Sequence, residues 1–111
     1  MEVFTIGGGK NLPKNRLVLE VVAHYAAERK FFSLPDLKNI FPDNIQGTFG
    51  VVASLDDANA ENAKGYKRYF TDNAIHLEDG PVAVCNQWRA DNLAAFIDCA
   101  QKLEYEITAL D

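Results

Sequence analysis

From Ile75 onward the chain first alternates apolar and polar side chains and then gives up the alternation for a helical repeat. Ile75 and Leu77 flank His76, Glu78-Asp79-Gly80-Pro81 supplies turn chemistry, and Val82, Val84 and Trp88 alternate with Ala83, Cys85 and Gln87. This predicts a β-hairpin with an Asp-Gly turn and a half-buried second strand. Gly80 can take the positive φ such a turn demands, while Pro81 has no N–H and belongs at a ladder end or bulge. After Trp88 the period becomes 3.6. Leu93, Phe96, Ile97, Ala100 and Leu103 share one helical face, Asp91, Asn92, Asp98, Gln101 and Lys102 lie opposite, and Asp91 or Asn92 is the expected N-cap. Near Glu104 the helix should stop, because Tyr105, Ile107 and Ala109 then alternate with Glu104, Glu106 and Thr108 as in a half-exposed strand.

The upstream pattern is mostly helical. Val3 to Ile6 predicts a short strand ended by Gly7-Gly8-Gly9. A strand, a glycine run and Lys10 invite comparison with a phosphate loop, but that motif is GxxxxGK[ST]; here Lys10 precedes Asn11 and the upstream glycine is missing, so a flexible turn is the better reading. Asn11 can cap a helix with Pro13 in its first turn, along which Leu17, Val18, Val21, Val22, Tyr25 and Ala26 form an apolar stripe of about four turns. Arg16, Glu20, Glu28, Arg29 and Lys30 decorate its other surfaces, and Phe31-Phe32 ends it. Ser33 to Asp36 has the form of a capping box and opens a short helix with Leu34, Leu37, Ile40 and Phe41 inward. Phe41-Pro42-Asp43-Asn44 breaks the chain before a third helix, weakened by Gly47 and Gly50, that would face Ile45, Phe49, Val52 and Leu55 to the core. Leu55 to Ala63 reads as an exposed loop or frayed helical extension.

Long helix, short helix, turn, third helix and hairpin is an order that resembles a winged helix-turn-helix domain, in topology only. In that arrangement the third helix enters the major groove and the hairpin is the wing. Residues 44–57 contain no Lys or Arg, however, so only Asn44, Gln46, Thr48 and Ser54 are left to read base edges, and Asp56 and Asp57 would repel the backbone. A second resemblance rests on sequence. VCNQW followed by NLAAFIDCAQKLEYEI resembles a C-terminal module of small, poorly characterised bacterial proteins, some of them neighbours of restriction systems or other mobile genes. It covers about the last third of the chain and implies no activity. That module usually has Gly where Arg89 and Glu104 stand, so the usual glycine helix stop is missing here.

The 111 residues, 48% of them apolar, predict one domain spanning 1–111 with a core that needs no disulfide or metal. The fold class these elements define is α+β, a winged-helix-like helical part with a small antiparallel sheet and a C-terminal amphipathic helix; Val3–Ile6 and Tyr105–Ala109 are expected to join the hairpin in one sheet. Basic and acidic groups number five and three in residues 1–30, four and five in 31–70, and two and eight in 71–111, so the last third carries the acidity. Such a face repels nucleic-acid phosphate and suits a basic partner. With no apolar run near the roughly 18 residues of a span and no leader pattern, a soluble cytoplasmic protein is expected, with Cys85 and Cys99 reduced.

Catalytic constellations are sparse. The carboxylate pairs Asp56/Asp57 and Glu78/Asp79 are sequence neighbours in loops or turns and read as solvated. His24, His76, Cys85 and Cys99 lack any short ligand spacing, so no metal is expected, and no cofactor motif is present. His76 and Cys85 lie on paired strands and are the one pair placed to form a nucleophilic dyad, though no orienting acid or oxyanion loop accompanies them. The chain therefore reads as a non-enzyme. Two stretches have binding character. Lys64, Lys67 and Arg68 interleave with Tyr66, Tyr69 and Phe70, which is either a nucleic-acid contact or an edge strand with its aromatics turned inward. Asn86, Gln87, Trp88 and Arg89 combine hot-spot residue types with two amides; alternatively Trp88 closes the core and the amides satisfy backbone at that corner. The expected function is a non-catalytic interaction module acting on a protein partner or as a homodimer, with DNA association or a small-ligand pocket as alternatives.

Overall fold

The computed structural model describes residues 3–29 and 32–110. Its elements run β1 (Val3–Ile6), β2 (Leu12–Pro13), α1 (Lys14–Ala27), α2 (Leu34–Ile40), α3 (Asp43–Gln46), β3 (Val52–Ser54), α4 (Leu55–Asn62), a 3-10 turn (Thr71–Asn73), β4 (Ile75–Leu77), β5 (Gly80–Val84), α5 (Ala90–Lys102) and β6 (Ile107–Leu110). The fold is α+β. The expected single sheet is in fact two three-stranded antiparallel sheets, β2-β1-β6 and β3-β5-β4. β1 pairs with β6 from Val3↔Leu110 to Ile6↔Ile107, and the hairpin instead takes Val52–Ser54 as its third strand. Among the described residues no helix is long and apolar enough to cross a membrane.

The hairpin is correct in place and corrected in burial. Leu77 pairs with Gly80, which has φ +130°, and His76 pairs with Pro81. β5 is the central strand and is covered on both faces. Val82 and Val84 join Phe41, Phe96, Leu17 and Trp88 in the main core, while Ala83 and Cys85 form a second cluster with Ala58 and Tyr69. The covering element on that second side is α4, a regular helix capped by Ser54 Oγ, which accepts the Asp57 N–H at 3.1 Å.

Three boundaries differ from expectation for local reasons. Leu12-Pro13 pairs with Val3-Phe4 as β2, so α1 begins at Lys14 with Pro13, not Asn11, at its N-cap position and without a side-chain cap. α1 ends at Ala27; Lys30 and Phe31 lie outside the described residues, and Phe32 packs edge-on to Tyr25 at 5.9 Å. The third helix is a single turn, after which Val52 enters a strand. Gly47 leaves that turn at φ +103°, and the Gln46 Oε1 accepts the next amides, Thr48 N–H at 2.8 Å and Phe49 N–H at 2.6 Å, in place of a continuing helical ladder. What stands in the winged-helix recognition position is thus one turn and a loop.

The capping box at Ser33 and Asp36 is present, and the hairpin tip adds to it: Asp79 accepts the Leu34 N–H at 3.1 Å and Glu78 N–H donates to the Phe32 carbonyl at 2.9 Å. An acid at this helix start is also favoured by the helix dipole. At the other end of the chain α5 stops as expected, and it does so without glycine. Glu104 takes φ +73°, its N–H donates to the Gln101 carbonyl at 3.0 Å, and Tyr105 N–H donates to the Ala100 carbonyl at 3.1 Å. Those are the two bonds of a Schellman motif, with a glutamate in the left-handed position.

Candidate functional site

The corner where β5 gives way to α5 is built around a buried indole. Trp88 is 4% exposed, packs against Phe96 at 5.4 Å, and donates its indole N–H to the Cys85 carbonyl at 2.7 Å. It is therefore an anchor of the corner, and the residues it displays are its neighbours. Arg89 occupies the N-cap position of α5, not Asp91 or Asn92; Asn92 sits at N3 and its Oδ1 accepts the Arg89 N–H at 2.7 Å. Asn92 Nδ2 in turn donates to the Gln46 carbonyl at 3.1 Å, and Gln46 Nε2 donates to the Gln87 carbonyl at 2.9 Å. Two buried amides thus tie α3, the corner and α5 into one network, with their polar groups satisfied internally.

In front of this wall lies a cleft of about 380 Å³ lined by Lys14, Asn15, Thr48, Asn86, Gln87 and Arg89. Its rim is polar and carries unused capacity. Asn15 Oδ1 is buried without a hydrogen-bond partner among the described residues. The first turn of α1, which supplies Lys14 and Asn15, has neither a capping side chain nor an acidic residue. Arg89 is largely exposed and pairs with Asp91 at 3.3 Å. The Asp91 carboxyl is held below its ordinary range, first by the Asn92 backbone N–H and further by the Arg89 guanidinium.

The basic segment abuts the same corner. Asn86 Nδ2 donates to the Lys67 carbonyl at 3.0 Å and Asn86 N–H donates to the Arg68 carbonyl at 2.8 Å, so the two stretches singled out in the sequence are contiguous in space. The cations themselves are largely engaged. Lys64 pairs with Glu61 at 2.9 Å, and Arg68 lies 3.7 Å from Glu61 with its guanidinium over the Phe49 and Tyr66 rings at 4.6 and 5.2 Å. Lys67 has no carboxylate within ion-pair distance among the described residues. The aromatics divide: Tyr66 is 71% exposed, whereas Tyr69 is buried, donates its O–H to the Phe49 carbonyl at 2.8 Å, and has its pKa pushed up to about 12, mainly by burial. The edge-strand alternative reduces to one bridge, Tyr69 to Cys85.

Other candidates resolve into structural roles. His76 and Cys85 share a face of the hairpin by alternation, but His76 faces Pro81, four residues along β5 from Cys85 and thus roughly 13 Å away at ~3.4 Å per residue. The Cys85 thiol is fully buried and its pKa is raised to about 11 by that burial. Asp79 holds the start of α2, and Asp56 and Asp57 occupy the first turn of α4. Of the four residues expected to read bases, Gln46 is buried in the amide network and Ser54 is a cap. Among the described residues no three His, Cys, Asp or Glu side chains converge as metal ligands.

Sequence reading undervalued Gln46 and Asn92 and passed over Asn15. For Asn92 a signal existed, since an amide three residues after an N-cap position is half of a capping box. Gln46 and Asn15 carried none, because their partners lie far away in the chain. Comparison with family models, with curated proteins and with solved structures finds no match for this chain.

Proposed function

We propose that the protein is a non-catalytic binding module, a bacterial accessory protein in keeping with the VCNQW resemblance, whose working surface is the polar cleft at Asn86, Gln87 and Arg89. The observation that carries this reading is the contrast between a wall whose amides are satisfied internally and a rim with an unpartnered Asn15 Oδ1, the uncapped start of α1, and the Lys14 and Arg89 side chains. A rigid wall supports binding because little side-chain entropy is left to lose. The Lys14 and Arg89 cations and the uncapped α1 amides at the rim suit an acidic segment of a partner protein, and the Asn15 Oδ1 acceptor suits one of that segment's N–H groups. Trp88 contributes by fixing the corner and not by direct contact.

The test is a titration of isotope-labelled protein with short acidic, neutral and basic peptides, reading the side-chain amide signals of Asn15, Asn86 and Gln87. Selective, saturable shifts with the acidic peptides, lost in an Asn86→Ala, Arg89→Ala variant that keeps its fold, support the cleft. Shifts that are equal for all three peptides count against it. Light scattering on the same samples reveals whether the segment received belongs to a second copy.

Exposed Tyr66 favours a second reading, in which it stacks on a base beside Lys64, Lys67 and Arg68. Association with single-stranded or duplex DNA that weakens with salt and disappears in Tyr66→Ala, Lys67→Ala supports it; salt-independent association removes it.

A further inference from the structure

On the opposite side of α1 from the amide corner, a groove of about 570 Å³ opens between β1, the glycine turn that follows it, the exposed flank of α1 and the turn from α5 to β6. That volume lies in the range of small-molecule sites. Ile6, Leu12 and Tyr105 give it an apolar lining, and three acidic residues, Glu20, Glu104 and Glu106, lie along it.

The fittings of the groove select against an anion. In the glycine turn, Gly7 N–H donates to the Glu106 carbonyl at 2.7 Å and Gly9 N–H to the Ile6 carbonyl at 3.0 Å, so these amides cannot cradle a phosphate. Lys10, the cation nearest that turn, lies 3.8 Å from Glu20. Glu104 and Glu106 have no cationic partner within ion-pair distance among the described residues. Net charge along the groove is therefore negative. One wall is fixed: His24 Nδ1 lies 3.0 Å from the Tyr105 hydroxyl, Nε2 lies 3.4 Å from Glu28 Oε1, and the rings meet edge to face at 5.6 Å. In the tautomer that carries its proton on Nε2, toward Glu28, Nδ1 accepts the Tyr105 O–H; in the other Nδ1–H donates to the hydroxyl, and either way the phenol is held beside the imidazole.

We propose that this groove binds a small organic cation, an ammonium group carried on an aromatic or alkyl body. The body lies on Ile6, Leu12 and the Tyr105 ring, and the ammonium meets Glu104 and Glu106. Apolar contact holds the body, and charge complementarity sets the sign of the head group. Gly7 and Gly8, with φ of +58° and +76° and no atom within 4 Å of where a Cβ would stand, leave the mouth open.

The probes are 2-phenylethylammonium, 2-phenylethanol and 3-phenylpropionate, titrated into the full chain at neutral pH and low salt with amide signals as readout. The ammonium compound is expected to shift Gly7, Gly9, His24 and Tyr105 saturably, the alcohol to bind about tenfold more weakly, and the carboxylate not at all. Glu104→Gly and Glu106→Gln should each weaken the ammonium compound by about fivefold, the scale of one partly exposed ion pair. Glu104→Gly relieves a left-handed glutamate, so lost affinity there is not lost folding. Equal binding of amine and alcohol, no saturable shift at millimolar amine, or shifts spread over the carboxylates of α4 and α5 would each overturn the proposal.

Discussion

Glu104 is where one residue's conformation and its chemistry pull apart. An L-residue in the left-handed region is less stable there by roughly 1–2 kcal/mol than in the right-handed one, and glycine escapes that cost while adding some unfolded-state entropy. With φ at +73° in a fully formed Schellman stop, Glu104→Gly is expected to stabilise the fold by about 1 kcal/mol, read as a higher urea midpoint at unchanged slope. Glu104→Ala, which keeps the Cβ, should gain little. Cys85 and Tyr69 give a second prediction at this scale. Burial raises the thiol from 9.0 to about 11 and the phenol from 10.0 to about 12. Each group is neutral when protonated, so above pH 9 the unfolded chain releases protons that the folded one retains, and stability falls as pH rises, from about 9 to 11 for Cys85 and from about 10 to 12 for Tyr69. Urea midpoints measured from pH 8 to 11 should fall steadily, and Cys85→Ala should flatten the lower part of that fall. A flat wild-type profile would contradict the burial assigned to both groups.

At the scale of elements, legibility followed how local the deciding bonds are. The strand at Val3–Ile6, the Ser33 box, the hairpin and α5 were readable, because their periods and caps are written within a few residues. Residues 43–62 were not. Ile45, Phe49, Val52 and Leu55 have helical spacing, yet Gly47 turns away and the Gln46 side chain takes the amides a helix would have used. Val52 then finds Val84, thirty-two residues on, a pairing that no local pattern announces. Of the candidate site, the Asn86 to Arg89 string was legible as residue types, but Trp88 turned out to be the buried anchor, and its wall depends on the distant Gln46. That wall can be tested. Asn92→Ala would leave the Arg89 N–H and the Gln46 carbonyl without their present partner, at about 2 kcal/mol for a buried pair of unmet groups. Because Asn92 bonds the main-chain carbonyl of Gln46, which Gln46→Ala leaves in place, an Asn92→Ala, Gln46→Ala double-mutant cycle should show only a small coupling, and Ser33→Ala, about 1 kcal/mol at the α2 box, should add to either.

For the whole molecule, the division into two sheets implies two levels of stability. β5 has neighbours on both edges and is buried on both faces, with Ala83 and Cys85 under α4 and Val82 and Val84 in the main core. In the other sheet β6 has one neighbour, and Thr108 and Ala109 are exposed. The ladder phase is fixed by the bond from Gly7 N–H to the Glu106 carbonyl, which makes Thr5/Thr108 the next bonded pair and points the Ile107 and Ala109 amides away from β1. Native-state hydrogen exchange should therefore show three behaviours. Ile107 and Ala109 exchange at near-unprotected rates. Thr108 is protected but opens by a smaller event, about 2 kcal/mol or more below global unfolding and with a shallower dependence on denaturant. Ala83, whose amide faces β3, exchanges only when the whole chain unfolds. The groove proposed for an organic cation is walled by β1 and the turn into β6, so both the local opening that exposes Thr108 and global unfolding lose it, and an occupant raises the exchange free energies of Thr108 and Ala83 by the same mass-action increment while the gap between them stays. If Thr108 and Ala83 instead share one exchange free energy and one denaturant slope, the two sheets unfold as a single unit.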